Sequence, residues 1–501
     1  MNKKKFLVSV LVAGLTIGLT VIPCMAIDFN LFGRPAHLTG YITQGAAFGL
    51  HDDYDTEQGL QMALMNLFAE GDYRISDQLK FYGAGMLTAD WIYQLKSGDN
   101  SWHDKLFAKS KGRLNVDDAD WQLLKEAHLT WTPGDFMFRV GKQIVAWGET
   151  DGFRLMDQIN PLDQRRGFAD VQFETTVIPI WLVRAEYHPN IQSSWLQELG
   201  FQFIFNPNAE FIRNQGIQPG NDVGGIWAPN VLIPGPFPFG EAHLGSIFND
   251  IKRPKAFNHE GYEYGFRIKG AIKGAVITLN YYYGLDKDPV AQMAPLPPRI
   301  SVASDGKLIL HPFFQGKYPL FRFVGATFAR DITPLQASFL GGVAPVVRLE
   351  AFYASNNTFA TNINTLDKSD EFRGMIGADW KVKIPFLNFQ TYFFISPQFY
   401  WRRIIDYPSI VEFSNLKKDN YATTLLVNTQ YFHGKLTPTF FWMYDITTKS
   451  HFFKGEITYD FNDWWRFSLG SIVLTGEKKN QGFQLFDNKD QIYFKISYKF
   501  S

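Results

Sequence analysis

The densest run of charged and aromatic side chains is "VAWGETDGFRLMDQINPLDQRRGFAD", residues 145–170. Glu149, Asp151, Arg154, Asp157, Asp163, Arg165, Arg166 and Asp170 are interleaved there with Trp147, Phe153 and Phe168. A segment that carries both signs of charge can set a transverse field across a passage, as facing rows of charge do in selective pores. On that reading Arg154, Arg165 and Arg166 face Glu149, Asp157 and Asp163, and segment 147–173 forms a pore constriction. The alternative is that the same charges pair with one another and fix the segment as a structural plug.

Covalent chemistry has less support. The chain has no Gly-x-Ser-x-Gly elbow and no His-Glu-x-x-His pair. Its 10 histidines are scattered. A hydrolase site assembled from distant strands would leave no such spacing, so it stays as a minor alternative. The only cysteine is Cys24. It falls inside "MNKKKFLVSVLVAGLTIGLTVIPCMA", which has three lysines, an apolar run from Phe6 to Ile22, and small residues before Ala26. That pattern predicts a secretory signal peptide over residues 1–26; an N-terminal anchor is the other reading. Cleavage would leave no thiol nucleophile, no disulfide, no Cys-held metal and no covalent c-type haem. We expect no enzyme and no cofactor. Equal numbers of basic and acidic residues, 49 each, with no basic patch, argue against a nucleic-acid partner.

Which elements could position the charged segment? Mean hydropathy is −0.16, and no apolar run of transmembrane length follows Ala26, so helical membrane crossing is not indicated. Yet 16% of residues are aromatic. An exported, aromatic-rich chain without apolar runs can still span a membrane as a closed barrel, which pairs every backbone group internally. The hydrophobic period agrees. In "QIYFKISYKFS", Ile492, Phe494, Ile496, Tyr498 and Phe500 alternate with Gln491, Lys495, Ser497 and Lys499. Two-residue alternation recurs in 36–48, 78–91, 125–131, 136–147, 180–188, 199–206, 262–270, 275–284, 321–331, 345–354, 372–384, 389–401, 421–432, 437–447 and 453–461, with a return strand from Trp465. Such segments read as strands, each near the length that a tilted bilayer-crossing strand needs.

Short links such as Thr132–Asp135, His433–Lys435 and Asn462–Asp463 alternate with long ones at 93–120, 147–173, 207–260, 285–319, 355–370, 403–420 and 476–490. The expected fold is therefore all-β: a transmembrane antiparallel outer-membrane β-barrel of about 18 strands, 16 also fitting, with short periplasmic turns and long external loops. Residues 27–501 form one domain with inserted loops 147–173, 207–260 and 285–319. A secreted β-sandwich is the soluble alternative, but it leaves the clusters at 281–283, 440–442 and 464–465 unexplained, whereas interfacial aromatic girdles use them. Segment 207–260 is rich in Pro, Gly and Asn and holds Ile226, Trp227, Val231, Leu232, Ile233, Phe237 and Phe239. Either it closes over the pore mouth as an apolar lid or the outer loops pack on one another.

The motifs Gly141-Lys142-Gln143, Trp147-Gly148 and Asn160-Pro161-Leu162-Asp163 are similar to those of a Gram-negative outer-membrane family that carries a domain of unknown function. That resemblance implies a porin-like barrel, often encoded beside exporters of the resistance-nodulation-division type. A weaker likeness to alginate-export barrels points the same way. The alternation ending on Tyr498 and Phe500 also resembles the C-terminal signal read by barrel-assembly machinery, although Ser501 follows it. The resulting expectation is a porin-like channel in the outer membrane of a Gram-negative bacterium, reached by Sec-type export. It would pass or export a small or amphiphilic, lipid-like solute. Expected partners are outer-membrane lipid and lipopolysaccharide, the assembly machinery, and an exporter of that type or a periplasmic carrier. The second expectation is a scaffold barrel that holds a partner protein, such as an electron-conduit cytochrome.

Overall fold

Alternation at a two-residue period puts one face of each strand toward lipid and the other toward a lumen, and the chain closes on that rule. The computed structural model describes residues 27–51, 58–95, 116–117, 120–167, 176–191, 193–213, 227, 229, 231–245, 250–303, 306–337, 341–362, 365–407 and 416–500. The expected leader 1–26 lies outside the described residues, as do Phe168, Asp170 and Ile226.

Eighteen strands form one antiparallel sheet closed on itself. They are β1 (Arg34–Leu50), β2 (Gln58–Met62 and Leu64–Arg74, broken at Ala63), β3 (Leu79–Asp90), β4 (Glu126–Trp131), β5 (Phe136–Gln143) and β6 (Ile180–Tyr187). Next come β7 (Leu196–Asn206), β8 (Glu263–Ile272), β9 (Ala275–Leu285), β10 (Leu320–Asp331), β11 (Val346–Asn362) and β12 (Thr365–Val382). The last six are β13 (Phe393–Ile404), β14 (Asp419–Asn428), β15 (Leu436–Asp445), β16 (Ser450–Asp460), β17 (Trp465–Gly476) and β18 (Gln491–Phe500). β18 seals against β1 from Gly40↔Phe500 to Gly49↔Gln491, which leaves no open edge between first and last strand. Ile27–Leu31 pairs back on the start of β1 beyond the end of β18. Among the described residues no helix is long and apolar enough to cross a membrane; the chain crosses with strands.

The strand "GLQMALMNLFAEGDYR" (59–74) is not among the alternating stretches found in the sequence. Leu64 and Phe68, which point inward, are as apolar as outward Leu67, so the period of two is blurred. Residues 355–362 and 365–370, expected as part of a loop, instead prolong β11 and β12. The ladder resumes after Asn356 (φ 56°) and runs from Asn357↔Ser369 to Asn362↔Thr365. Elsewhere the alternation of links holds. Lys273 and Gly274, both left-handed (φ 47° and 80°), make the two-residue turn that matches strand twist.

Parity divides the aromatic clusters. Tyr282 points inward and is fully buried, while Tyr281 and Tyr283 face out. Phe440 and Trp442 face out and Phe441 packs inside. At the short-turn end, Trp131 stacks on Phe138 at 5.6 Å and Phe136 on Tyr187 at 4.7 Å, an outward aromatic belt of the kind that sits at a membrane interface.

At the long-loop end, the described parts of segments 207–260 and 285–319 fold together. Leu232–Pro234, Glu241–Leu244, Leu308–His311 and Arg299–Val302 make one small sheet. Asp250–Lys252, Phe314–Lys317 and Val290–Met293 make another. The first sheet reaches across the mouth to the β17–β18 loop. Leu232 N donates to Asn480 Oδ1 (3.1 Å), Asn480 Nδ2 donates to Leu232 O (2.6 Å), and Lys479 bonds Glu241 (2.6 Å). Trp227 is buried with Tyr93, Phe452 and Tyr493, against Gly167. The outer loops therefore pack on one another, the second of the two expected arrangements.

Candidate functional site: a segment stapled across the lumen

The charged segment begins where a strand stops early. The ladder between β4 and β5 extends only from Trp131↔Phe138 to Ala127↔Lys142. Gly141 takes φ 138°, and a Cβ there would lie 2.2 Å from Ala127 O, so only glycine fits this approach of two backbones. Above it, side chains replace the missing ladder. Gln143, fully buried, donates to Leu182 O (3.2 Å). Lys142 Nζ donates to Leu124 O (2.7 Å) and Ile144 N to Glu126 Oε2 (3.2 Å). Asn160 Oδ1 accepts from Val145 N (2.8 Å), while its Nδ2 donates to Gln143 O (3.3 Å) and Ile178 O (2.9 Å). Pro161 O accepts from Ile178 N (2.9 Å). Buried backbone groups must find partners, and one asparagine satisfies three of them.

The next motif makes the turn into the lumen. Asp157 Oδ1 accepts from Trp147 N (2.6 Å) and Gly148 N (2.8 Å). A Cβ on Gly148 would sit 2.6 Å from Asp157 Oδ2, which accounts for glycine there. Trp147 is fully buried and donates its indole N–H to Gln202 (2.7 Å).

From here the segment crosses to the far wall. Glu350 of β11 accepts from Glu149 N (2.7 Å) and Met156 N (2.5 Å). Arg348 donates to Glu149 O (2.5 Å), Asp151 Oδ2 (2.5 Å) and Asp379 Oδ1 (2.7 Å). On β13, Gln398 accepts from Asp151 N (3.1 Å) and donates to Asp151 Oδ2 (2.7 Å), and Tyr400 Oη accepts from Gly152 N (3.3 Å). Beneath these bonds, Leu155, Met156 and Ile159 are buried against Tyr282, Phe323, Phe352 and Met375. Phe153 meets Tyr400 edge-on at 5.2 Å. The segment is thus clamped by charge-assisted bonds and sits on an apolar lumen wall.

The predicted charges fall into two groups rather than facing rows. Arg165 binds Asp163 (2.7 Å) and Asp117 (3.0 Å); Arg166 binds Asp117 (2.8 Å); Asp163 also accepts from Trp121 Nε1 (3.0 Å). That group lies near Asp90 of β3, 3.9 Å from Arg166. Arg154 Nη2 donates to Asn160 O (3.1 Å). Among the described residues it forms no ion pair with Glu149 or Asp163. Asp157 is occupied by backbone N–H groups. Burial raises the Glu149 carboxyl above its ordinary range, against the pull of Arg267 and Arg348. Burial likewise lowers the Arg154 guanidinium, against the nearby Asp157.

Several residues that matter were not singled out by sequence: Asp117, Arg348, Glu350 and Gln398, and a second inward cluster in which Glu371 bonds Arg373 and Arg402. A further buried pair, Lys287–Glu263 (2.6 Å), ties the β9–β10 loop to β8. A usable signal existed. "VVRLEAF" and "DEFRGMIG" carry charges two residues apart on the parity opposite the lipid face. A charge repeated on one face of a lipid-crossing strand must point to the lumen.

The opposite wall is left more open. On β15 and β16 the inward residues Thr437, Thr439, Lys454, Glu456 and Thr458 are only half-buried, whereas inward Ser468 and Ile472 of β17 are buried. Lys495 lies 3.9 Å from Glu456, which accepts from Tyr493 Oη (2.7 Å).

The family model described as "Protein of unknown function (DUF1302)" matches residues 63–500. The chain belongs to that family. It matches no curated protein. Among solved structures it is similar to OccAB4 of Acinetobacter baumannii (10% identity, 93% of this chain and 97% of that one, TM-score 0.48). It is also similar to OccAB2 of the same organism (7%, 93% and 98%, TM-score 0.46). A third is OccK2 (OpdF) of Pseudomonas aeruginosa in complex with glucuronate (8%, 94% and 99%, TM-score 0.45).

Proposed function

We propose that the protein is a passive outer-membrane channel whose eyelet lies between segment 147–160 and the half-exposed polar inner face of β15 and β16. The observation that carries this is the stapling of the segment across the lumen to β11 and β13, with the facing wall left half-exposed. A loop held on one side narrows a barrel without filling it. The eyelet offers an apolar rim from Phe153 and Phe441 beside the half-buried Lys454 and Glu456, with buried Lys495 behind them, which suits a small or amphiphilic solute. Flow would follow a gradient or a partner exporter. The folded-in segment occupies space that a sheathed partner protein would need, so the scaffold reading is not carried further.

Single-channel recording in planar bilayers tests this, with the wild type beside Arg348→Ala. Steady ohmic current, with larger and noisier openings in the variant, is the expected result. A silent bilayer, with insertion verified by heat-modifiable gel mobility, would mean a plugged barrel and overturn the reading.

A further inference from the structure

The sector around β3–β7 is the thinnest part of the ladder. β4 pairs with β3 only from Leu79↔Trp131 to Ala84↔Glu126, and β6 pairs with β7 only from Val183↔Phe205 to Tyr187↔Phe201. On the outer side of this sector lies a groove of about 370 Å³, lined by Phe81, Leu129, Val140, Gly141, Trp181 and Pro207 among others. Phe81, Leu129, Val140 and Trp181 all belong to the outward parity, and each is between 41% and 55% exposed. The volume falls in the range of ligand sites. Its floor includes Gly141, where β5 approaches β4 so closely that a Cβ would collide with Ala127 O at 2.2 Å.

Position fixes what surrounds the groove. Trp181 stands six residues above Tyr187, which belongs to the aromatic belt at the short-turn end. At roughly 3.3 Å per residue this is about 20 Å along a tilted strand. The apolar band of such barrels is about 25 Å tall, so the groove lies within the hydrocarbon layer. It is continuous with the lipid-facing surface on either side.

We propose that this groove is a seat for one acyl chain of a membrane lipid, which completes the wall where the strand ladder is shortest. Ordinary annular lipid slides past a smooth belt; here a chain can lie below the general surface, against Val140, Trp181 and the Gly141 backbone. No hydrophobic drive separates the two states, because lipid surrounds both. Retention comes from van der Waals contact on three sides instead of one. The proposal does not depend on whether the barrel conducts.

The test is photolabelling of the full protein in phosphatidylethanolamine–phosphatidylglycerol vesicles that contain a phospholipid with a mid-chain diazirine, followed by peptide mapping. The expected result is enrichment of adducts on Phe81, Leu129, Val140 and Trp181, about threefold over outward residues such as Val324, Ile376 and Ile457, the order that packing alone supports. Val140→Trp should fill the groove and abolish the enrichment. Val324→Trp, on β10, should leave it unchanged. Heat-modifiable mobility checks that each variant is folded. Adducts spread evenly around the belt would overturn the proposal, and so would enrichment that survives Val140→Trp or is equally lost in Val324→Trp.

Discussion

Two sectors of this barrel solve one problem differently. From β11 to β14 and from β15 to β17 the wall is held by long ladders: β11 pairs with β12 from Val346↔Asp379 to Asn362↔Thr365, and β16 with β17 from Ser450↔Gly476 to Asp460↔Arg466. From β3 to β7 the ladders stop early, and Gln143, Glu126 and Asn160 take over the partnering of backbone groups. The first kind of wall depends on no single side chain. The second concentrates its hydrogen bonding in a few residues, two of which, Gln143 and Asn160, are carried by the motifs. A motif here is the mark of a place where the repeating ladder fails and a named side chain must replace it.

Substitutions at these replacement residues, and at the side chains that staple segment 147–160 to the far wall, should therefore cost far more than substitutions elsewhere on the long ladders. The largest effect is expected from Gly141→Ala. Positive-φ strain and a collision with Ala127 O, a backbone atom that cannot swing away, together cost about 4 kcal/mol. A refolding titration in urea measures it, and a midpoint equal to that of the wild type would break the comparison. Arg348→Ala comes next, at about 3 kcal/mol, since it leaves Asp151 and Asp379 without their shared cation in a part-buried site. Its loss should appear as faster amide exchange over 149–156 while the β16–β17 ladder keeps its protection. Asn160→Ala should cost about 2 kcal/mol by stranding Val145 N, Gln143 O and Ile178 O. Exchange at the Val145 amide reports it directly.

A pH dependence sharpens the same contrast. The Glu149 carboxyl is raised in the folded state, so the fold holds its proton more tightly than the unfolded chain does. Its contribution is fully present below the ordinary glutamate value and is lost as pH rises through the raised one. Amide protection over segment 147–160, taken relative to the intrinsic exchange rate at each pH, should therefore be higher near pH 4 than near pH 7, and Glu149→Gln should remove part of that slope. An unchanged slope in the variant would assign it to other groups. The smallest effect is expected in the long sector. Lys449→Ala removes an exposed partner of Glu477 (2.9 Å), and the urea midpoint should not move measurably.

Much of this molecule was legible in its sequence because side-chain parity is a local property. Residue i and residue i+2 share a face whatever the rest of the chain does, so the strand segments, the lipid face and the alternation of short and long links could be read directly. The β2 strand escaped because its inward residues are also apolar: there the inner wall meets Tyr93 and Trp227 instead of water, and the alternation fades. The hairpin extension at 355–362 and 365–370 escaped because an Asn-rich stretch reads as a loop until its partner strand is known. The motif residues of segment 141–161 could be picked out, and so could the charges that follow them. Their partners could not. Arg165 and Arg166 meet Asp117, 48 and 49 residues away, and Asp151 meets Arg348 at a separation of 197. Such pairs exist only after the sheet has closed and the segment has turned inward. The sequence alone determined which parity of most strands faces lipid, because side-chain direction alternates locally. Closure of the barrel decided which charges face one another, because that depends on strand order around a ring and not on distance along the chain.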